Sequence, residues 1–179
     1  EWVGAPKPRT RDRGYGTFLR ILIAQQISVA AADSIEKRLR QQAPDLSVAQ
    51  LVRLSDDHLR SAGLSRPKIK TLRRLIEAIE NGSFDPDGLE YLSDDEVIQK
   101  ISSLHGFGRW SAEIYCMFSL GRPDVFAGDD IALLESIRRL DRLEQRPTPK
   151  QGRIRAEKWK PHRTCAALFL WHYYRGQPA

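Results

Sequence analysis

Apolar residues recur along this 179-residue chain at spacings of three and four positions, and no segment alternates polar and apolar residues for more than a few positions. The first spacing is typical of an amphipathic α-helix, whereas alternation would indicate a β-strand. The sequence therefore predicts an all-α chain with about ten helices.

Capping and turn residues predict where these helices begin and end. Ser65 and Pro67 have the residue types of a helix start, and Asn81-Gly82 those of a stop. Ser93-Asp94-Asp95-Glu96 and Thr148-Pro149-Lys150-Gln151 have the order of a capping box. The other predicted helices include a first one with Phe18, Leu19, Leu22, Ile23 and Gln26 on one face, and others over residues 30–39, 94–103, 109–120 and 161–174, the last largely buried.

Composition narrows the class of protein. With 41% hydrophobic and 29% charged residues, the chain has the balance of a globular protein. No apolar run approaches the ~18 residues of a membrane-spanning helix, and the first residues lack the order of a signal peptide. We therefore expect a cytosolic protein with no membrane partner.

The two cysteines, Cys116 and Cys165, lie in separate apolar helical stretches. They are too few for a four-thiolate zinc site or an iron–sulfur cluster. We expect both to be small buried hydrophobic residues and expect no metal site.

Positive charge is concentrated in one segment. The whole chain has a formal net charge of +6. The stretch from Arg138 to Arg163 by itself carries +7, from ten Lys and Arg residues and three acids. Such a cluster can be the footprint of a nucleic-acid-binding surface. It can equally be a solvated helical surface, and the sequence leaves both readings open.

The stretch from Ile101 to Leu133 is the most informative, because a helix, a turn with two glycines and a second helix lead into Asp129-Asp130. Gly106 and Gly108 let the backbone approach another molecule closely. The free N–H groups at the start of the helix at Arg109 can hold a phosphate oxygen. Glycines that simply end a helix are the alternative.

These residues resemble a known family. The segments 104–112 (LHGFGRWSA) and 122–130 (RPDVFAGDD) resemble the signature of the helix-hairpin-helix DNA glycosylase superfamily, and its 3-methyladenine DNA glycosylase II branch, which repairs alkylated bases, is the best match. Residues 23–28, 63–65 with Lys68, and 159–166 resemble further segments of that branch in the same order. The resemblance covers about residues 14 to 175, almost the whole chain.

The resemblance implies a compact, two-lobed helical fold with the active site in the cleft between the lobes and no N-terminal β lobe. Residues 1–179 would form one domain, in which 101–120 are the helix-hairpin-helix and 1–14 an extended basic arm. It also implies no catalytic metal and no iron–sulfur cluster, although carbonyls of the hairpin could hold a monovalent cation.

The family's roles can be carried over position by position. Asp130 would be the catalytic carboxylate, and Asp129 a helix cap. Trp110 stands where strand-cutting relatives carry a lysine, which implies an enzyme without lyase activity. The residues that would line the base pocket are Trp110, Trp171, Tyr115 and, through the base edge, Glu113, with Tyr174 as a further candidate. Those that would contact DNA are Gly106, Phe107, Gly108, Arg109, Gln25, Gln26, Ser28 and Lys68.

Plainer roles remain open for several of these residues. The aromatic side chains could be ordinary core, and Glu113 could be a solvated helix residue. Gln26 could fill the gap left by a flipped base, or Gln25 and Gln26 could be helix-terminal hydrogen-bonding residues.

The implied function is that of a monofunctional DNA glycosylase. It would act as a monomer on double-stranded DNA, flip out alkylated purines such as 3-methyladenine or 7-methylguanine, and leave an abasic site. Its location would be cytoplasmic or nucleoid-associated. The alternatives are a non-catalytic protein that binds damaged DNA through the same hairpin and pocket, and a helical protein-interaction domain.

Overall fold

A computed structural model describes residues 6, 7 and 9–176 of the chain, and these residues contain ten α-helices, two short 3₁₀ helices and no β-strand. The predicted all-α fold is confirmed. The α-helices are α1 (Tyr15–Ala24), α2 (Val29–Gln42), α3 (Val48–Leu51), α4 (Asp56–Ser61), α5 (Arg66–Glu80), α6 (Asp94–Ser102), α7 (Arg109–Phe118), α8 (Ile131–Leu140), α9 (Pro149–Ala156) and α10 (Arg163–Gly176). The 3₁₀ helices are Gly88–Tyr91 and Glu157–Trp159.

Short polar side chains start several of the helices, although the predicted cap Ser65 makes no side-chain hydrogen bond to α5. Ser28 and Ser47 accept hydrogen bonds from the backbone N–H groups at the third positions of α2 and α3. At α9 the predicted capping box is confirmed, because Thr148 and Gln151 satisfy each other's backbone N–H groups. The first helix ends earlier than its apolar pattern predicts: α1 stops at Ala24, and Gln26 lies in the following turn with a φ of 58°.

The chain divides into two compact units. The hairpin unit comprises Asp12–Ser93 and Lys100–Gly108. The Asp130 unit comprises, among the described residues, 6, 7 and 9–11, Asp94–Gln99 and 109–176.

The hairpin unit is built around α1, which packs against α2 and α5. Phe18 of α1 is completely buried and makes edge-to-face contacts with Phe84 and Phe107, at ring-centroid distances of 5.2 and 5.8 Å. Such contacts add to the stabilisation that comes from burying the rings. The turn that contains Phe107 is thereby attached to the core of its unit.

The Asp130 unit is built on the packing of α8 against α10. Leu133 and Ile137 of α8 are buried, as are Ala167 and Leu170 of α10. The Ser136 hydroxyl donates a hydrogen bond to the Leu170 carbonyl at 2.9 Å. This contact fixes the position of α8, whose first residue follows Asp130.

Two predictions about burial are wrong in part, namely that both cysteines are buried and that the last helix is largely buried. Cys116 is buried, but Cys165 is exposed on the outer face of α10. Phe169 on the same helix is 49% exposed. The cause is that α10 buries one face against α8, and apolar composition alone does not show which face is covered.

The predicted basic arm falls partly on residues 1–5 and 8, which lie outside the described residues. The described residues 6, 7 and 9–13 form no helix or strand. The Arg11 N–H group donates a hydrogen bond to the Phe118 carbonyl at 2.9 Å, which attaches this segment to the end of α7.

No helix among the described residues is both long enough and apolar enough to cross a membrane.

Candidate active site and DNA interface

The carboxylate of Asp130 lies at the start of α8 and accepts three hydrogen bonds. Its Oδ1 atom accepts from the Leu133 N–H group and from the Trp171 indole Nε1, both at 3.0 Å. Its Oδ2 atom accepts from the Trp110 indole Nε1 at 3.1 Å. Both oxygens are therefore held by donors on three helices, α7, α8 and α10, which fix the carboxylate's orientation.

The two indoles differ in exposure. Trp110, in the first turn of α7, is 37% exposed, whereas Trp171 is 7% exposed and packs against Phe118 with 5.7 Å between ring centroids. The structure thus brings together three of the predicted site residues, a carboxylate and two indoles. Trp110 and Trp171 are 61 positions apart in the sequence.

The helix cap is Asp130 and not Asp129, so the predicted cap is wrong. The side chain of Asp129 instead accepts a hydrogen bond from Arg153 at 2.7 Å. Arg153 passes directly over Gly128, where a Cβ atom would lie 2.5 Å from the Arg153 Cγ. The missing side chain at Gly128 lets Arg153 approach and engage the first of the two acids.

Glu113 is not a solvated helix residue, because its side chain is only 2% exposed. Its carboxylate accepts hydrogen bonds from Arg109 at 2.8 Å and from Arg153 at 3.0 Å. Burial raises the pKa of Glu113, and the two guanidinium groups oppose that rise. The carboxylate that was predicted to contact a base edge is thus paired with two guanidinium groups.

Two predicted contact residues belong to the core instead. Tyr115 has no exposed surface, so its ring cannot line an open pocket. Phe107 is 4% exposed against Phe18, and its N–H group donates to the Leu104 carbonyl at 3.1 Å. Tyr174 is 39% exposed, with the Arg139 guanidinium 5.1 Å from its ring centroid.

Arg9 is a residue of this site that the sequence did not reveal. Its guanidinium lies over the ring of Trp171, 5.5 Å from the centroid. Burial lowers the pKa of Arg9, the like charge of Arg175 lowers it further, and the attraction of Asp130 opposes both. The only signal in the sequence was that the arm is basic, which does not point to one arginine.

The hairpin owes its shape to Gly106. This residue has a φ of +82°, and a Cβ atom there would lie 2.2 Å from the Thr71 hydroxyl oxygen. At Gly108 a Cβ would meet nothing within 4 Å. The first N–H groups of α7, which begins at Arg109, have no acceptor within their own helix, so this end of the hairpin suits an anion.

Three of the other predicted DNA contacts, Gln25, Gln26 and Lys68, line a groove of about 630 Å³ in the hairpin unit. Gln25 donates to the Gly106 carbonyl at 2.9 Å, and Lys68 donates to the Ile23 carbonyl at 2.7 Å. Burial lowers the pKa of Lys68. Gln25 and Lys68 therefore hold the hairpin and the end of α1 in place, while Gln26 is exposed at the turn.

The N-terminal turn of α5 borders the same groove. Its lining includes the exposed side chains of Arg66 and Lys70, together with His105 of the hairpin. Among the described residues, no group of three or more His, Cys, Asp or Glu side chains could hold a metal ion. The groove thus offers positive charge to a ligand.

Comparison with known proteins gives consistent matches. The profile described as "HhH-GPD superfamily base excision DNA repair protein" matches residues 19–162. DNA-3-methyladenine glycosylase 1 of Schizosaccharomyces pombe is 32% identical over 161 residues, which are 88% of this chain and 71% of that protein.

Two solved structures have the same fold. A DNA-3-methyladenine glycosidase from Bacillus halodurans has a TM-score of 0.83 at 32% identity, over 94% of this chain and 79% of that one. The S. pombe 3-methyladenine DNA glycosylase Mag1, solved in complex with abasic DNA, has a TM-score of 0.87 at 28% identity, over 99% of this chain and 91% of that one.

Proposed function

The chain belongs to the HhH-GPD superfamily of base excision DNA repair proteins, and we propose that it is a monofunctional DNA glycosylase for alkylated purines. It binds double-stranded DNA, takes the damaged nucleotide out of the duplex and hydrolyses its N-glycosidic bond. The relatives named as 3-methyladenine DNA glycosylases support this choice of substrate.

One observation carries the proposal: the carboxylate of Asp130 is held between the indoles of Trp110 and Trp171. When a glycosidic bond breaks, positive charge develops on the sugar, and a fixed carboxylate stabilises that charge. Because three N–H donors already orient Asp130, little reorganisation is needed when the charge appears.

The aromatic walls suit a cationic base. A purine alkylated on a ring nitrogen is a flat cation, and its stacking on an indole contributes about 0.5–2 kcal/mol. Such a base is also a good leaving group without protonation, so a general acid is not required. A single catalytic carboxylate is consistent with this chemistry.

Trp110 supports the absence of lyase activity. A lyase attacks the sugar with an amine to form a Schiff base, and an indole has no such amine. The proposal also includes no catalytic metal and no iron–sulfur cluster, so base release should persist in the presence of EDTA.

The hairpin and the neighbouring groove supply the grip on DNA. The N–H groups at the start of α7 bind a phosphate, while Gln26, exposed with a φ of 58°, enters the gap left by the flipped nucleotide. Flipping costs a few kcal/mol and costs least for a damaged pair. The protein acts on DNA as a monomer, and we place it in the cytoplasm, at the nucleoid.

The proposal is tested with duplexes that each contain one defined lesion, under single-turnover conditions. We expect release of 3-methyladenine and 7-methylguanine and an abasic strand that is cut only after alkali treatment. Strand cleavage without alkali would contradict the monofunctional mechanism. No base release from any lesion, with tight binding retained, would identify a non-catalytic protein that binds damaged DNA.

The role of Asp130 is tested by Asp130→Asn, which preserves the helix cap because Asn and Asp cap equally well. The amide cannot accept from both indoles, and it has no charge. We expect a folded protein that binds DNA and whose base release falls by at least about 100-fold. Glu144→Gln, at an exposed acid of the same unit, is the matched control. Equal release by the wild type and by Asp130→Asn would overturn the assigned role.

A further inference from the structure

Arg9 covers the aromatic surface on which a flipped base would stack. Its guanidinium lies 5.5 Å from the centre of the Trp171 ring. Phe118 packs on the same indole, and only 7% of Trp171 remains exposed. A base can therefore stack on Trp171 only when Arg9 moves away.

The guanidinium resembles the proposed substrate in shape and charge. It is a planar, delocalised cation that stacks on aromatic faces, and the negative charge of Asp130 raises its pKa against the effects of burial and Arg175. An alkylated purine is also a planar cation. Arg9 thus stacks on the indole that the damaged base would use, and it feels the charge of the same carboxylate.

The segment around Arg9 can release this contact without unfolding a helix. Residues 9–13 form no helix or strand. Two positions further on, Arg11 is attached to the end of α7 through its N–H group, which donates to the Phe118 carbonyl, and its guanidinium lies 5.8 Å from the Phe118 ring centroid. Arg11 therefore anchors the segment while Arg9 can swing out.

We propose that Arg9 is a specificity-determining residue that occupies the Trp171 face until a base with stronger affinity displaces it. This inference rests on the proposed function. A cationic purine replaces the stacking of Arg9 on the indole and its attraction to Asp130, and adds a larger stacking surface, so the stacked state prevails. A neutral purine gains no comparable attraction from Asp130, so the state closed by Arg9 remains populated and release is slow.

Arg9 therefore slows the release of neutral bases and has little effect on the release of cationic ones. At saturating protein, the rate of release is the chemical rate multiplied by the fraction of bound DNA with the base in the pocket. For a cationic base that fraction is already near one, and removing Arg9 changes it little. For a neutral base the fraction is small, and it rises by the full factor by which Arg9 competed.

The test compares Arg9→Gln with the wild type on duplexes that contain 7-methylguanine, a cation, or hypoxanthine, which is neutral. At saturating protein and constant salt, we expect Arg9→Gln to release hypoxanthine about 2- to 30-fold faster, which corresponds to about 0.5–2 kcal/mol. Release of 7-methylguanine should change by less than about twofold. Arg9→Lys, which keeps the charge, should release hypoxanthine at a rate between those of the wild type and Arg9→Gln.

Lys7→Gln is the matched control, because it removes one positive charge from an exposed position of the same segment. It should change neither rate. If Arg9→Gln slowed both reactions or weakened binding to undamaged duplex, Arg9 would be a phosphate contact and the inference would be overturned. Unchanged rates for both lesions would overturn it as well.

A second measurement does not depend on base release. The cationic nucleoside 7-methylguanosine is titrated into the DNA-free protein while the indole N–H signal of Trp171 is followed by NMR, with Trp171→Phe to assign it. Because Arg9 must leave before the nucleoside stacks, we expect Arg9→Gln to bind it about 2- to 30-fold more tightly. Equal affinity would overturn the inference. A wild type that releases no base would instead overturn the proposed function, while this titration still decides the role of Arg9.

Discussion

Asp130 combines two roles that could have fallen to different residues. It caps α8 through the Leu133 N–H group and is the proposed catalytic carboxylate. Either acid of the Asp129-Asp130 pair has a residue type suited to capping. Arg153 pairs with Asp129. Asp130 therefore remains available to cap α8 and to accept hydrogen bonds from the two indoles.

The indole N–H groups that donate to Asp130 can be removed one at a time. Trp110→Phe keeps an aromatic wall but removes the N–H group that donates to the Asp130 Oδ2 atom. A hydrogen bond to a charged group contributes about 1.5–3 kcal/mol, so we expect the single-turnover rate at saturating protein to fall about tenfold or more. DNA affinity should be almost unchanged, because Trp110 then acts by positioning Asp130.

Trp159→Phe provides the control for this prediction. Trp159 packs on Phe126, with 5.9 Å between ring centroids, so its replacement tests the loss of an indole elsewhere in the same unit. We expect it to keep the wild-type rate. Weaker DNA binding by Trp110→Phe at an unchanged saturating rate would contradict the positioning role.

The hairpin between α6 and α7 contains two glycines with different functions. Gly106 is required by the fold, since its φ is +82° and Thr71 occupies the space of a Cβ atom. Gly108 has open space around its Cβ position. The sequence shows the two glycines but does not show this difference, because Thr71 lies 35 positions away.

Paired alanine variants should separate these functions. Gly106→Ala places a side chain in a left-handed conformation and against Thr71, and should destabilise the protein by about 1–3 kcal/mol, or several degrees in Tm by thermal unfolding. Gly108→Ala should keep the wild-type Tm but weaken DNA binding, because the added methyl group projects where the phosphate backbone approaches. Similar losses of Tm in both variants would show that Gly108 also serves the fold.

The positive charge of the stretch from Arg138 to Arg163 is largely neutralised by neighbouring carboxylates. Six of its ten basic residues have a carboxylate within 2.9 Å, namely Arg138, Arg139, Arg153, Arg155, Lys160 and Arg163. Two of the acids, Asp124 and Asp141, have their pKa values lowered by hydrogen bonds from Arg163 and Arg155. Of the two readings of this segment, the structure favours a helical surface held together by ion pairs.

The salt dependence of DNA binding tests this reading. Each phosphate contact contributes about −0.9 to the slope of log K against log salt concentration. Lys70→Gln, in the groove beside the hairpin, should make the slope shallower by about one. Lys150→Gln, an equal loss of charge in the basic stretch, should leave it unchanged. A larger effect of Lys150→Gln would show that the basic stretch contacts DNA.

Much of the fold was predictable from the sequence, because helices depend on interactions between residues three and four positions apart. The ten α-helices, the capping box at Thr148 and the stop after Glu80 follow from such local patterns. The burial of Cys116 against the exposure of Cys165 did not follow, because it depends on which helix face is covered.

The candidate site could likewise be predicted from the sequence only in part. Asp130, Trp110 and the hairpin glycines could be found from the sequence, since they belong to continuous segments that resemble a family. The partners of Asp130 and Glu113, and the place of Arg9 on Trp171, were decided only by the tertiary structure. Hydrogen bonds and ion pairs between distant segments depend on helix packing, and a one-dimensional pattern carries no record of which side chains that packing brings together.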